Sequence, residues 1–167
     1  LTRSLKFLQR GIAAAEAHYI YRALRAVPSL RKRLSPEVLA EAIAACTSET
    51  DAPNVRDCLR SMLALLKQGQ KESQSAGACG PELCLFLGLL SLLSLLDSGD
   101  RAGGIKLAES LINIISGSQR RTLDPIASRV FFYYSRIFEM EGRLHDVRPA
   151  LLGALQAATL AGMKETK

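Results

Sequence analysis

The stretch LCLFLGLLSLLSLL, residues 83–96, is the most apolar part of this chain and decides its fold class. It carries no charged side chain over 14 residues, whereas a helix needs about 20 apolar residues to cross a bilayer. Leu is a strong helix former, and the run lacks the β-branched residues that favour strands. We therefore predict a buried helix here and no membrane span.

The residues after this run repeat a helix–turn–helix pattern. Helices are predicted over 82–96 and 101–115, and again over 122–141 and 144–160, although Gly103 and Gly104 weaken the second helix and Pro149 enters the fourth. The turns at Gly99 and Gly142 lie 43 residues apart, near the period of tetratricopeptide-like (TPR-like) solenoids. Because one hairpin cannot bury both faces of its helices, we expect an all-α fold of stacked helical hairpins.

The front half shows weaker periodicity. Helices are predicted over 2–27, 36–46 and 55–68, with Pro28 ending the first and Ser35-Pro36 starting the second. Residues 69–81, GQKESQSAGACGP, are small, polar and glycine-rich, which predicts a flexible loop. The chain thus divides into a basic helical region, 1–68, this loop, and hairpin repeats over 82–167.

Positive charge is concentrated at the front of the chain. Residues 1–33 contain eight basic side chains and one acidic side chain, a net charge of +7, whereas the other 14 basic and 15 acidic residues sum to −1. Such an arm is compatible with nucleic acid, an anionic membrane or an acidic protein surface. The favoured interpretation is a solvated basic face, because aromatic residues do not interleave with the basic clusters as they do in nucleic-acid-binding modules.

Catalytic and metal-binding patterns are missing from the sequence. The segment GDRAGGIK, 99–106, lacks the preceding strand and the following Ser or Thr of a phosphate-binding loop, and His145-Asp146 has no identifiable nucleophile. The four cysteines form no Cys-x-x-Cys pair, and the two histidines lie far from them in sequence. We predict a protein that is not an enzyme and binds no cofactor, metal or small-molecule substrate, with reduced thiols in the cytosol or nucleus.

Two kinds of side chain are candidates for partner contacts or packing. The basic clusters Arg31-Lys32-Arg33 and Arg120-Arg121 each adjoin an apolar residue, so we expect arginine stems that pack on neighbours or salt bridges to acids. The run Phe131-Phe132-Tyr133-Tyr134 points all round its helix. The favoured interpretation is a helix buried on most sides, and the alternative places one or two rings at a subunit contact.

Residues 120–160 carry a specific resemblance. This block resembles the regulatory subunit 3 family of the 26S proteasome, whose members are non-ATPase lid subunits with a helical-repeat front and a PCI domain behind. The matching positions include Arg120, Arg121, Leu123, Asp124, Tyr133, Tyr134, Arg136, Glu139, Asp146, Val147, Arg148, and further forward Arg22, Arg25, Pro28 and Arg33.

The resemblance implies a PCI-type solenoid segment that acts as a scaffold. Its expected partners are other subunits of the lid and regulatory particle, in the cytoplasm and nucleus. Arg136 and Arg148, which are among the matching positions, are further candidates for subunit contact or packing. Family members continue to a winged-helix PCI module, so the resemblance implies a fragment or a short form. The alternatives are a paralogous signalosome subunit, or an adaptor whose basic arm binds nucleic acid or anionic surfaces.

Overall fold

A computed structural model describes residues 1–48, 52–66, 80–118 and 120–160. Every regular element in these ranges is helical, which confirms the predicted all-α class. The helices are α1 (Thr2–Ala14), α2 (Ala17–Arg25), α3 (Val27–Arg33), α4 (Pro36–Ser48), α5 (Pro53–Leu65), α6 (Pro81–Ser98), α7 (Arg101–Gly117), a short 3-10 helix (Arg121–Leu123), α8 (Asp124–Met140) and α9 (Leu144–Leu160).

Helix α6 is the centre of the core. Every residue from Glu82 to Leu93 is buried, because helices α1, α3, α4, α5, α7 and α8 all pack against it. A helix enclosed in this way needs apolar side chains all round rather than one stripe, which explains its sequence. Each fully buried Leu contributes about 1.5–3 kcal/mol of transfer free energy, so α6 dominates the hydrophobic stabilisation.

The second half forms the predicted hairpins, α6 with α7 and α8 with α9. Gly99 and Gly142 lie at the two corners with φ of 80° and 70°, a left-handed conformation that glycine adopts without strain. A further hairpin, α4 with α5, packs beside α6 and α7, so that α4, α6 and α8 follow one another along the stack. This arrangement confirms the TPR-like solenoid prediction.

The N-terminal helices cover one side of that stack. Helices α1 and α3 pack on α6, and α2 packs on α8. The prediction of a single helix over 2–27 was wrong, because the chain turns at Ala15, whose φ is 52°, and restarts at Ala17. Pro28 does not end a helix either: it occupies the first turn of α3, where a missing N–H costs nothing.

The starts of three other helices have local physical reasons. Helix α5 starts at Pro53, two residues before the predicted start at residue 55, since proline suits the first helical turn. Asp100 accepts a hydrogen bond from the Gly103 N–H at 3.0 Å, and this N-cap stabilises the start of α7 despite its two glycines. Helix α8 begins at Asp124 rather than at residue 122, since the 3-10 helix precedes it.

The described residues before and after the predicted loop share one hydrophobic core. Helix α6 lies in the middle of that core and runs longer than its apolar stretch. At 18 residues and a mean hydropathy of 1.6 it is long and apolar enough to cross a membrane, yet 72% of it is buried inside the protein, as in a core helix. The predicted flexible loop falls almost wholly on residues 67–79, outside the described ranges.

Candidate interaction surface

Arg31 joins the basic N-terminal region to the core helix. It donates from Nε to Asp97 Oδ2 at 2.9 Å and from Nη2 to Asp97 Oδ1, so the two side chains form a bidentate pair between α3 and the end of α6. The hydrogen bond from Arg31 lowers the pKa of Asp97, against a smaller opposing effect of desolvation. Arg22 and Arg3 lie over the Phe7 ring, at 4.8 and 5.7 Å from its centroid. Three arginines of the basic N-terminal region therefore make contacts within the protein, one with a carboxylate and two with an aromatic ring.

Arg120 and Thr122 contact a buried carboxylate. Glu82 is 1% exposed, and its Oε1 accepts a hydrogen bond from Thr122 Oγ1 at 2.7 Å and a longer one from Arg120 Nη1 at 3.4 Å. Its Oε2 has no hydrogen-bond partner among the described atoms. These contacts attach the link between α7 and α8 to the start of α6. They therefore connect the α6–α7 hairpin with the α8–α9 hairpin.

The other candidate arginines lie on the surface. Arg136 pairs with Glu139 at 2.6 Å, one turn further along α8. Arg33, Arg121 and Arg148 are exposed, and no acid in the described ranges forms a salt bridge with any of them. The structure does not bring the predicted arginines together into one site.

The aromatic run divides between core and surface. Tyr134 is 6% exposed and packs edge-on against Phe138 with ring centroids 4.9 Å apart. Burial raises the pKa of Tyr134. Phe131 and Tyr133 are half-buried, and Phe132 is 58% exposed. Helix α8 is therefore covered around Tyr134 and leaves one face, which carries Phe132, open beside α2 and the start of α3.

A cleft of about 760 Å³ opens at that face, and we call it the aromatic cleft. Its walls are α2 and the start of α3 on one side and α8 on the other, and the buried Leu89 of α6 lies at its base. It is lined by Tyr21, Leu24, Arg25, Val27, Pro28, Leu89, Pro125, Ser128, Arg129, Phe132 and Tyr133. An apolar base with polar groups at the rim is typical of a binding site.

Helix α9 presents a second open surface. A groove of about 650 Å³ lies where α9 faces α7 and α8, and small residues such as Ala154 and Ala157 line its α9 side. On the helix itself, Leu152 and Leu155 are 48% and 42% exposed. We call these two leucines, with the exposed Leu144, the α9 face. Neighbouring exposed leucines on one helix are typical of a surface that a partner covers.

The structure offers no assembled catalytic centre in the part of the chain it describes. His145 Nε2 lies 2.8 Å from Asp146 Oδ1, but the histidine is highly exposed and Arg143 contacts the same carboxylate. Cys46, Cys58 and Cys84 are free thiols buried in the core, and a hydrogen bond from Cys84 lowers the pKa of Cys58. No three His, Cys, Asp or Glu residues in the described ranges are grouped to hold a metal ion.

Sequence reasoning missed Glu82, Asp97, Arg25 and Arg129. Glu82 and Asp97 resemble ordinary acids at the ends of a helix, and their partners come from segments 38 and 66 residues away. Arg25 is one of the positions of the family resemblance, but neither it nor Arg129 carries a sequence signal of a shared site. Their proximity follows only from the packing of α2 on α8.

Comparison with known proteins gives one consistent result. A family model described as "PSMD3-like, N-terminal TPR repeats" matches residues 1–167. Over 96% of the chain, it is 30% identical to the 26S proteasome non-ATPase regulatory subunit 3 of Dictyostelium discoideum and to a probable counterpart in Drosophila melanogaster. The probable regulatory subunit rpn3 of Schizosaccharomyces pombe is 26% identical over the same share of the chain. The chain spans about a third of the length of these curated relatives, 33–34%.

Proposed function

Because the chain belongs to the PSMD3-like family of N-terminal TPR repeats, we propose that it is a scaffold segment of the proteasome regulatory-particle lid. In this role it supports ubiquitin-dependent protein degradation through protein–protein contacts in the cytoplasm and nucleus. The observation that carries the proposal is the family match along the whole chain. The names of the relatives as non-ATPase regulatory subunits support a role without catalysis.

The fold is suited to such a role. A solenoid exposes much surface relative to its core, and each hairpin offers a separate contact area to a partner. The α9 face leaves Leu152 and Leu155 open, so contact with another subunit there would remove apolar area from water at about 25 cal/mol per Å². The relatives carry proteasome names, and no observation favours the signalosome alternative.

Reconstitution with purified lid subunits tests the proposal. The tagged chain is incubated with co-expressed lid subunits that lack their own subunit 3, and complexes are separated by size exclusion. We expect co-elution of the chain with the lid subunits. A chain that elutes alone, while circular dichroism shows it to be folded, would contradict the scaffold role.

A pair of variants on α9 makes the test specific to a surface. Leu155→Asp puts a charge on the α9 face and should weaken co-elution. Gln156→Asp adds the same charge at the adjacent exposed polar position and should leave co-elution unchanged. Equal effects of the two variants would show that added charge, rather than loss of an apolar contact, disturbs the assembly.

A further inference from the structure

The aromatic cleft combines three features: an aliphatic base, exposed aromatic rings and arginines on both walls. Its base is aliphatic, with Leu24, Val27 and Leu89 all buried. Exposed aromatic area stands at its rim, where Phe132 is 58% exposed and Tyr21 37%. Arginines contribute from both walls, Arg25 from α2 and Arg129 from α8. Tyr, Phe and Arg are the residue types enriched at the centres of protein interfaces.

The charges at this rim have one sign. Neither Asp nor Glu lines the cleft. Within the described ranges, no acid forms a salt bridge with Arg25 or Arg129. Other arginines near the helical stack behave differently, since Arg101 pairs with Glu141 and Arg143 with Asp146. The two guanidiniums of the cleft thus keep their bidentate hydrogen-bonding capacity for an external carboxylate.

The size of the cleft limits what enters it. A volume of about 760 Å³ lies within the roughly 300–1,000 Å³ of ordinary ligand pockets, enough for one large side chain and its neighbours but too small for a helix about 10 Å wide. Its aliphatic base favours an apolar group over a nucleobase. A nucleic-acid strand would need a longer track of positive charge than two arginines supply.

We propose that the aromatic cleft binds an extended acidic segment of a partner protein. An aromatic or large aliphatic side chain of that segment enters between α2 and α8 and packs on Leu89, while carboxylates on either side pair with Arg25 and Arg129. The identification of the segment as part of another subunit rests on the scaffold function proposed above. The peptide chemistry rests on the cleft alone.

Direct binding measurements test this inference on the whole chain. The probe is a short fluorescein-labelled peptide with one central tryptophan flanked on each side by aspartates, and the readout is fluorescence anisotropy. We expect saturable binding that weakens at least about tenfold in the double variant Arg25→Glu with Arg129→Glu, since two attractive charge pairs become repulsive. The matched control, Arg10→Glu with Lys106→Glu, changes the net charge equally at exposed sites away from the cleft and should bind as the unmodified chain does.

Changes in the peptide separate the contributions of charge and packing. A peptide with asparagines in place of the aspartates, and one with alanine in place of the tryptophan, should each bind more weakly. A peptide with lysines at the flanking positions should bind the Arg25→Glu and Arg129→Glu double variant better than it binds the unmodified chain. This exchange of preference requires the two side chains to face the ligand, so a merely structural role cannot produce it.

Three results would overturn the inference. The first is equal weakening by the control pair, which would mean attraction by net charge alone. The second is binding of the uncharged peptide as tight as that of the acidic one. The third is tighter binding of a single-stranded deoxythymidine oligonucleotide that the cleft variants abolish, which would make this a nucleic-acid site. If the peptide fails to bind while the chain still co-elutes with lid subunits, the proposed binding role of the aromatic cleft is wrong and the proposed scaffold function stands.

Discussion

At the scale of single residues, two carboxylates connect segments that lie far apart in sequence. Asp97 accepts a hydrogen bond from Arg31 of the N-terminal region. Glu82 accepts one from Thr122, which lies in the link before α8. The two contacts differ in burial, because Asp97 is exposed and Glu82 is almost completely buried. Removal of the hydrogen-bond donor should therefore lower the free energy of unfolding by different amounts at the two contacts.

For the exposed pair, Arg31→Ala should lower the free energy of unfolding by about 0.5–1 kcal/mol at pH 7, a typical value for a well-aligned surface pair. Arg31 lowers the pKa of Asp97 in the folded state. Stability from this group is therefore present above the unfolded pKa of about 3.9 and is lost as the pH falls through the lower folded pKa. The effect of Arg31→Ala should vanish at that acid end.

Urea unfolding at a series of pH values measures this effect, with Lys32→Ala as the control at the adjacent exposed position. A double-mutant cycle with Asp97→Ala isolates the pair. A coupling free energy that stays constant into acid would show that the negative charge of Asp97 does not contribute to the interaction.

For the buried carboxylate, Thr122→Val should cost more, about 1.5–3 kcal/mol, because it removes the shorter hydrogen bond to a buried acid that already has one unpaired oxygen. Thr159→Val is the matched control, since its hydroxyl donates to the Leu155 carbonyl of its own helix at an exposed site. Chemical denaturation measures both. A loss for Thr122→Val no larger than that for Thr159→Val would mean that the buried contact contributes little.

At the scale of elements, two helical glycines illustrate how packing overrides propensity. A Cβ on Gly88 of α6 would collide with Leu111 of α7 and approach Met62 of α5 to 2.9 Å. A Cβ on Gly153 of α9 meets nothing within 4 Å. The first glycine lets three helices approach closely, whereas the second has no such role.

The substitution of alanine should therefore have opposite effects at the two sites. Gly153→Ala should stabilise the protein by about 0.5–1 kcal/mol through helix propensity. Gly88→Ala gains the same propensity but should be destabilising overall by about 1–2 kcal/mol, because Leu111 and Met62 must move in a filled core. Thermal unfolding followed at 222 nm compares the two. Stabilisation by both variants would indicate that α5, α6 and α7 pack more loosely than described.

The elements also show how far sequence reasoning reached. The uniform apolarity of residues 83–96 predicted α6, and the glycines at 99 and 142 predicted both hairpin corners. The turn after α1 was missed because Ala15 adopts the left-handed conformation there. That conformation is usually signalled in a sequence by glycine, which this position lacks. The sequence left open which of the four rings is exposed, because four consecutive aromatic residues surround a helix, and only the neighbouring helices determine that Phe132 is uncovered.

At the scale of the whole molecule, the α9 face should govern self-association. Leu152 and Leu155 are 48% and 42% exposed on α9, the helix whose small residues line one side of the groove. We expect the purified chain to oligomerise with rising concentration, because burial of these leucines removes apolar area from water. Leu152→Asp with Leu155→Asp should restore a monomer, and Gln156→Asp should not. A concentration-independent monomer in light scattering of the unmodified chain would show that this face is sufficiently covered already.

The composition of the chain's complexes in cells tests the proposed scaffold role in the proteasome lid. The tagged chain is purified from cells under mild conditions, and the recovered proteins are quantified by mass spectrometry against Leu155→Asp expressed at the same level. We expect recovery of several lid subunits in constant proportion to one another, and a joint reduction of these subunits in the variant. Recovery of the folded chain without lid subunits, or with the same subunits at equal levels in the variant, would contradict it.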